Sequence, residues 1–184
     1  MKGQLTRAKN DGYRVIYLDE TMFTRKTVSC EEWTLPKENV SVDEAKLSEP
    51  TLALLMSISK ENGLEHFKIY DFSVNTERFI DWLEEMRVKA GDDKVALFMD
   101  NLSAHKADKS TEEMKRLGFR WIWNCTYSPE YNPIELSFSK VKSEFKKLRR
   151  RKLIGLTDES HESLIRRAVR SIKKQEIVNC IRHV

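Results

Sequence analysis

The hydrophobic positions of this chain fall into short continuous runs and longer helical stripes. Tyr13 to Leu18 (YRVIYL) is a β-prone run ending at Asp19, and Lys94 to Met99 (KVALFM) is a second ending at Asp100. Between them, Thr27 to Leu35, Thr51 to Ser59 and Glu65 to Phe72 are further strand candidates. The turn sequence Lys60-Glu61-Asn62-Gly63 separates the last two, which predicts an antiparallel meander. Asn75 is a helix cap, with Phe79, Ile80, Leu83 and Met86 at helical spacing behind it and Gly91 as the stop. That helix crosses over to the strand ending at Asp100. A second helix over Lys109 to Leu117 stops at Gly118 and leads into a strand over Phe119 to Trp123, which implies a parallel crossover.

After the loop Tyr127 to Tyr131, Asn132 reads as an N-cap, Pro133 as the first helical residue and Glu135 as a first-turn acid. The helix behind them has an apolar stripe of Ile134, Phe138, Val141, Phe145 and Leu148. One residue on runs a polar stripe of Glu135, Ser139, Lys142, Lys146 and Arg149. A last helix from about Thr157 buries Leu164, Ile165, Ala168, Val169 and Ile172 and turns Arg166, Arg167, Arg170 and Lys173 outward. The pattern predicts an α/β fold: a central mixed sheet, three antiparallel strands beside parallel ones, flanked by helices.

Composition narrows the class. At 184 residues with 40% hydrophobic and 34% charged content, the chain suits one globular unit with a core that needs no disulfides. Cys30, Cys125 and Cys180 are odd in number and far apart, so they read as reduced, mostly buried thiols rather than a zinc site or disulfide framework. No apolar run reaches membrane-span length and Met1 to Asn10 has no apolar leader stretch, which points to an intracellular protein with no membrane role. Net charge is only +4, but between Lys140 and Lys152 eight Lys or Arg face the single acid Glu144. Such a run is most often a solvated helix face. Here it makes the C-terminal third the part suited to a polyanion.

Asp19, Asp100 and Glu135 are the candidate chemistry. Two divalent cations roughly 4 Å apart can activate a nucleophile, stabilise a crowded phosphorus centre and assist the leaving alkoxide. Magnesium asks for a few convergent carboxylates with coordination positions left open. A chain with 29 acids contains many Asp, Asp, Glu triples, so context has to carry the reading. Two of these acids end hydrophobic strands, and the third follows a loop of unusual composition. The plain alternatives are a strand-ending Asp that turns the chain and a first-turn Glu favoured by the helix dipole.

At these residues the chain resembles the DDE transposases of the mariner superfamily. The string Tyr127-Ser128-Pro129-Glu130-Tyr131-Asn132-Pro133-Ile134-Glu135 is similar to the family's third-carboxylate motif, and the 34 residues between Asp100 and Glu135 match one of its branches. Asp100-Asn101-Leu102-Ser103-Ala104-His105-Lys106 is similar to the second motif, and Asp19-Glu20 followed by Phe23 to the first. The resemblance covers about Tyr13 to Arg151. It departs from the family at Phe138, where many members place Trp, and at Thr126, where many have Pro.

The resemblance implies an RNase H-like fold on a five-stranded mixed sheet, with residues 1–12 as a lead, 13–152 as the catalytic domain and 153–184 as a helical extension packed on it. It implies two magnesium ions (Mn2+ substituting) held by Asp19, Asp100 and Glu135, cleavage of double-stranded DNA at transposon ends, and strand transfer into a target. Asn101, His105 and Asn132 are second-tier candidates that orient phosphate or water, or else only pin their loops. Lys142, Lys146 and Arg149 are candidate phosphate contacts, because their stripe begins at the catalytic glutamate, and Arg150 and Arg151 in the same basic run are further DNA-binding candidates. Pairing two DNA ends implies a homodimer on DNA. Localisation would be nuclear in a eukaryote and cytoplasmic in a bacterium. Only twelve residues precede the first strand, so sequence-specific recognition of transposon ends is expected to lie outside this chain. Two other readings share the fold: a domesticated copy acting as a DNA-binding or assembly module, and a different RNase H-like nuclease using the same acids.

Overall fold

The computed structural model describes residues 2–24, 49–126 and 128–184. Its centre is strand β1 (Arg14–Phe23), which pairs with a strand at each edge and, because helices cover both faces of the sheet, is apolar on both. Val15 and Tyr17 face one side and Ile16 and Leu18 the other, all buried. Strand β2 (Leu52–Ser59) pairs antiparallel with β1 and is buried along its whole length, and β3 (Gly63–Asp71) pairs antiparallel with β2 at the sheet edge. On the other side, β4 (Val95–Met99) and β5 (Arg120–Trp123) run parallel to β1, giving the order β3-β2-β1-β4-β5. This is the mixed five-stranded sheet expected from the sequence.

Each face is covered by its own helices. Helix α2 (Thr76–Ala90) and helix α4 (Asp108–Arg116) bury Phe79, Trp82, Leu83, Met86 and Met114 against one face, with the short helix α3 (Ser103–Lys106) between them in the chain. The opposite face carries helix α5 (Ile134–Leu153), helix α6 (His161–Ser171) and helix α7 (Lys174–His183), which share a core of Phe138, Val141, Phe145, Leu164, Ile165 and Ile177. Helix α1 (Lys2–Asn10) adds Ala8 to that core. Among the described residues no helix is long and apolar enough to cross a membrane.

Local chemistry sets the boundaries. The Asn75 side chain accepts from the Arg78 amide at 2.9 Å and starts α2 as expected, and Gly91 ends it at φ 57°, a conformation costly for any residue with a Cβ. Several expectations shift. The N-terminal lead is helical between Lys2 and Asn10. The single last helix is two helices: Ser160 caps α6 through the Ser163 amide, and extended residues Ile172 and Lys173 break the run before α7. Cys180 is buried, but Cys125 is exposed. Cys30 and the strand expected over Thr27 to Leu35 lie outside the described residues.

The largest correction concerns Arg149, read from its stripe as a phosphate contact. Its side chain is 1% exposed and turns inward to Glu49 Oε1 (3.4 Å) and His161 Nδ1 (3.0 Å). Steps of three and four residues do not follow a helix of 3.6 residues per turn indefinitely. By Arg149 the stripe has drifted to the angular position of Phe138, which packs in the core. Lys142 and Lys146 stay at the surface, and Arg150 and Arg151 are exposed.

Candidate active site

The sheet register brings the two aspartates together. Tyr17 of β1 pairs with Phe98 of β4, and their rings lie 5.4 Å apart in the same core. Side chains alternate faces, which carried two residues on turns Asp19 and Asp100 to the same side, and both line one cleft there. Asp19 does not end its strand as expected: β1 continues to Phe23 because β2 pairs with it that far, while β4 stops at Met99. A carboxylate inside one strand thus faces one just past the end of its neighbour.

Helix α5 supplies the third acid. Ile134 and Phe138 anchor its first turn in the core, which aims Glu135 at the strand ends. Asn132, expected to cap α5, uses both ends of its amide while buried to 1% exposure: Oδ1 accepts from the Ile134 amide at 3.5 Å, a long cap bond, and Nδ2 donates to Asp19 Oδ2 at 2.9 Å. Its backbone carbonyl receives the Glu135 amide at 3.1 Å. Pro133 follows at φ −63°, where its ring presets a helical φ. Asp19, Asp100 and Glu135 line one open cleft of about 580 Å3, together with Glu20, Asn101, Asn124 and Ser128. A groove of about 440 Å3, lined by Ser139, Lys142, Ser143 and Lys146, leads away from Glu135 along α5.

The electrostatics follow from crowding acids at a half-dry spot. Burial, with the Asp100 and Glu135 charges adding to it, pushes the Asp19 carboxyl up to about 8, against hydrogen bonds from the Glu20 amide and Asn132 that favour its charge. Burial also raises the Glu135 carboxyl, with Lys142 opposing and Asp100 adding. The Glu20 carboxyl is raised by burial and by Asp100, and the His105 side opposes.

The remaining candidates hold the frame. His105, fully buried, meets Asp100 Oδ1 through Nδ1 at 2.9 Å, and its ring packs on Phe79 at 4.5 Å. The Leu102 amide reaches the same Asp100 oxygen at 3.3 Å. Asn101 donates from Nδ2 to the Asn124 carbonyl at 2.7 Å. Asn124 was not singled out from the sequence, yet it braces both loops: its Nδ2 holds the Ser128 carbonyl and its Oδ1 the Cys125 amide, each at 2.8 Å. A polar residue directly after the aromatic strand Arg120–Trp123 was the available signal.

The donors are hard oxygens in an open cleft, which suits a divalent cation such as magnesium rather than a soft metal. Among the described residues no group of three or more His, Cys, Asp or Glu forms a ready-made cage for an ion. Magnesium asks for fewer protein ligands than that, because it keeps waters and takes substrate oxygens. The mutual repulsion of the three carboxylates is relieved by positive charge placed among them.

Comparison with known proteins bears on the fold and the family. The backbone is similar to the Mos1 mariner paired-end complex with Mn (TM-score 0.58, 15% identity, covering 99% of this chain and 59% of that one). It is similar also to the catalytic domain of Mos1 mariner transposase (TM-score 0.56, 14% identity, 99% and 88% covered) and to a chain of a simian T-cell lymphotropic virus intasome (TM-score 0.62, 13% identity, 86% and 48% covered). Likeness at these identities is one of fold. A stretch of 113 residues is 26% identical to bud site selection protein 4 of Saccharomyces cerevisiae strain YJM789, covering 60% of this chain and 8% of that protein. The chain thus spans 59% of the Mos1 chain of the paired-end complex and a small part of the yeast protein. The profile of the DDE superfamily endonucleases matches residues 14–157, a span that contains all three acids and the groove beside them, and the chain belongs to that superfamily.

Proposed function

We propose that this chain is the catalytic domain of a DNA transposase, in which Asp19, Asp100 and Glu135 hold two magnesium ions, with manganese able to replace them. The observation that carries the reading is the meeting of three acids, remote in sequence, in one cleft that runs on into a groove lined by Lys142 and Lys146. Residues 13–152 form the catalytic domain, and α6 and α7 form an extension packed against it.

Bound divalent ions would supply an activated nucleophile and offset charge at the phosphorus. The protein's part is placement. Asp19 is held between the Glu20 amide and Asn132, Asp100 is held by His105 and the Leu102 amide, and Glu135 closes the set from the helix start. Asn101, with its amide nitrogen committed to the Asn124 carbonyl, also lines the cleft. Duplex DNA is the substrate: Lys142 and Lys146 follow its backbone away from the reacting phosphate, with Arg150 and Arg151 further along the helix. Joining two transposon ends takes two such sites, so the assembly on DNA is a homodimer, working in the nucleus of a eukaryote or the cytoplasm of a bacterium.

The test needs no known end sequence. Incubated with supercoiled plasmid and Mg2+ or Mn2+, the full chain should introduce nicks, and Asp100→Ala should reduce nicking to background. Nicking that persists in Asp100→Ala rejects the assignment.

A further inference from the structure

Two buried polar atoms beside the cleft have no hydrogen-bond partner among the described residues: Glu20 Oε2 and His105 Nε2. They belong to the same face. Side chains alternate along β1, so Asp19 points toward α5 while Glu20 points to the side where α2 and α3 lie. On that side lies His105, whose ring packs on Phe79 in the core to which Ile16, Leu18 and Met22 of the same strand face also belong. His105 is fixed at its other end, with Nδ1 on Asp100 Oδ1 at 2.9 Å and the ring against Phe79.

The chemistry of the two orphan atoms constrains what joins them. A neutral imidazole that donates its Nδ1 hydrogen to Asp100 has only a lone pair at Nε2, and a carboxylate oxygen also only accepts. Two buried acceptors are satisfied together by one group with two hydrogens, and a single buried water is the smallest such group. Resting on the reading of Asp100 as a metal ligand, we propose that Glu20 is a positioning residue: through one shared water it orients His105, and His105 in turn fixes the Asp100 carboxylate in the cleft. A group hydrogen-bonded to a metal ligand sets its direction, and removing such a partner typically weakens metal binding by about 10–100-fold; His105 is that partner of Asp100, and Glu20 acts through it at the low end of that range.

The experiment is calorimetric titration of Mn2+, without DNA, into the full chain and its variants, each checked for a native circular dichroism spectrum. Glu20→Ala should weaken Mn2+ binding by about 10-fold. Glu20→Gln loses the charge but keeps an oxygen for the water, and should bind close to the unsubstituted chain. His105→Ala should weaken binding, and adding Glu20→Ala to it should change nothing more, because the outer residue acts through the inner one. Independently of any variant, nitrogen-15 spectra of the intact chain should show His105 protonated at Nδ1 and bare at Nε2. The proposal is overturned if Glu20→Ala binds normally, if Glu20→Gln is as weak as Glu20→Ala, if the two alanine effects add, or if the tautomer is reversed. Asp100→Ala separates the levels. If it abolishes Mn2+ binding while Glu20→Ala does not weaken it, only the positioning role falls; if it leaves binding intact, the metal reading falls as well.

Discussion

Asp19 shows how one residue can be costly for folding and suited to its task. Buried beside Asp100, with its carboxyl pushed up to about 8, it resists ionising in the folded chain. An acid whose folded value lies above its unfolded value near 3.8 imposes no penalty below pH 4. The penalty grows as pH rises between those two values and levels off above about 8. Asp19→Asn cannot ionise and still offers an oxygen to the Glu20 amide. The substitution also sets an NH2 against the Asn132 amide, a cost that does not change with pH, so the Tm of the metal-free variant relative to the unsubstituted chain should rise from pH 4 to pH 8 and stay constant above that, while nicking is lost. A variant Tm that tracks the unsubstituted chain at every pH would contradict this account of the site.

At the scale of elements, helix α5 does two jobs on two faces. Phe138, Val141 and Phe145 bury one face, and Phe145 meets the Phe23 ring edge-on at 4.9 Å, so the helix is locked to the strand that carries Asp19. The other face presents Lys142 and Lys146 to the groove. Arg149 separates the two roles. Lys142→Ala and Lys146→Ala should each weaken DNA binding and flatten the plot of log affinity against log salt by about 0.9. Arg149→Ala should leave that slope alone and lower stability by about 1–3 kcal/mol in urea denaturation, because Glu49 and His161 lose a buried partner. An Arg149→Ala chain of normal stability with a flattened salt slope would return Arg149 to the DNA-facing set.

At the scale of the whole molecule, the cleft is assembled from three separate parts of the chain: β1, the end of β4 and the start of α5. A cation held by all three binds the folded chain far better than the unfolded one, and free-energy linkage then stabilises the fold. Mn2+ at 100 times its dissociation constant should raise stability by about 2.7 kcal/mol, read as a higher Tm, and Asp100→Ala should abolish the rise. A Tm insensitive to Mn2+ in the intact chain would mean that the three acids do not act as one site.

The sequence by itself determined the strands ending near the two aspartates, the Asn75 and Gly91 limits of α2, the parallel crossovers, and the three acids as the chemistry to test. These are legible because hydrophobic periodicity and capping are local, and because the Tyr127 to Glu135 string is specific enough to carry a family resemblance. Only the tertiary structure decided that β1 runs on past Asp19, that the Asn132 amide also holds that aspartate, that Arg149 faces inward, and that Glu20 and His105 share a buried corner behind Asp100. Each of these depends on which segment lies alongside: β2 extends β1, β1 draws in Asn132, α6 and Glu49 receive Arg149. A chain read in one dimension shows which side chains can bond, and packing selects the partner.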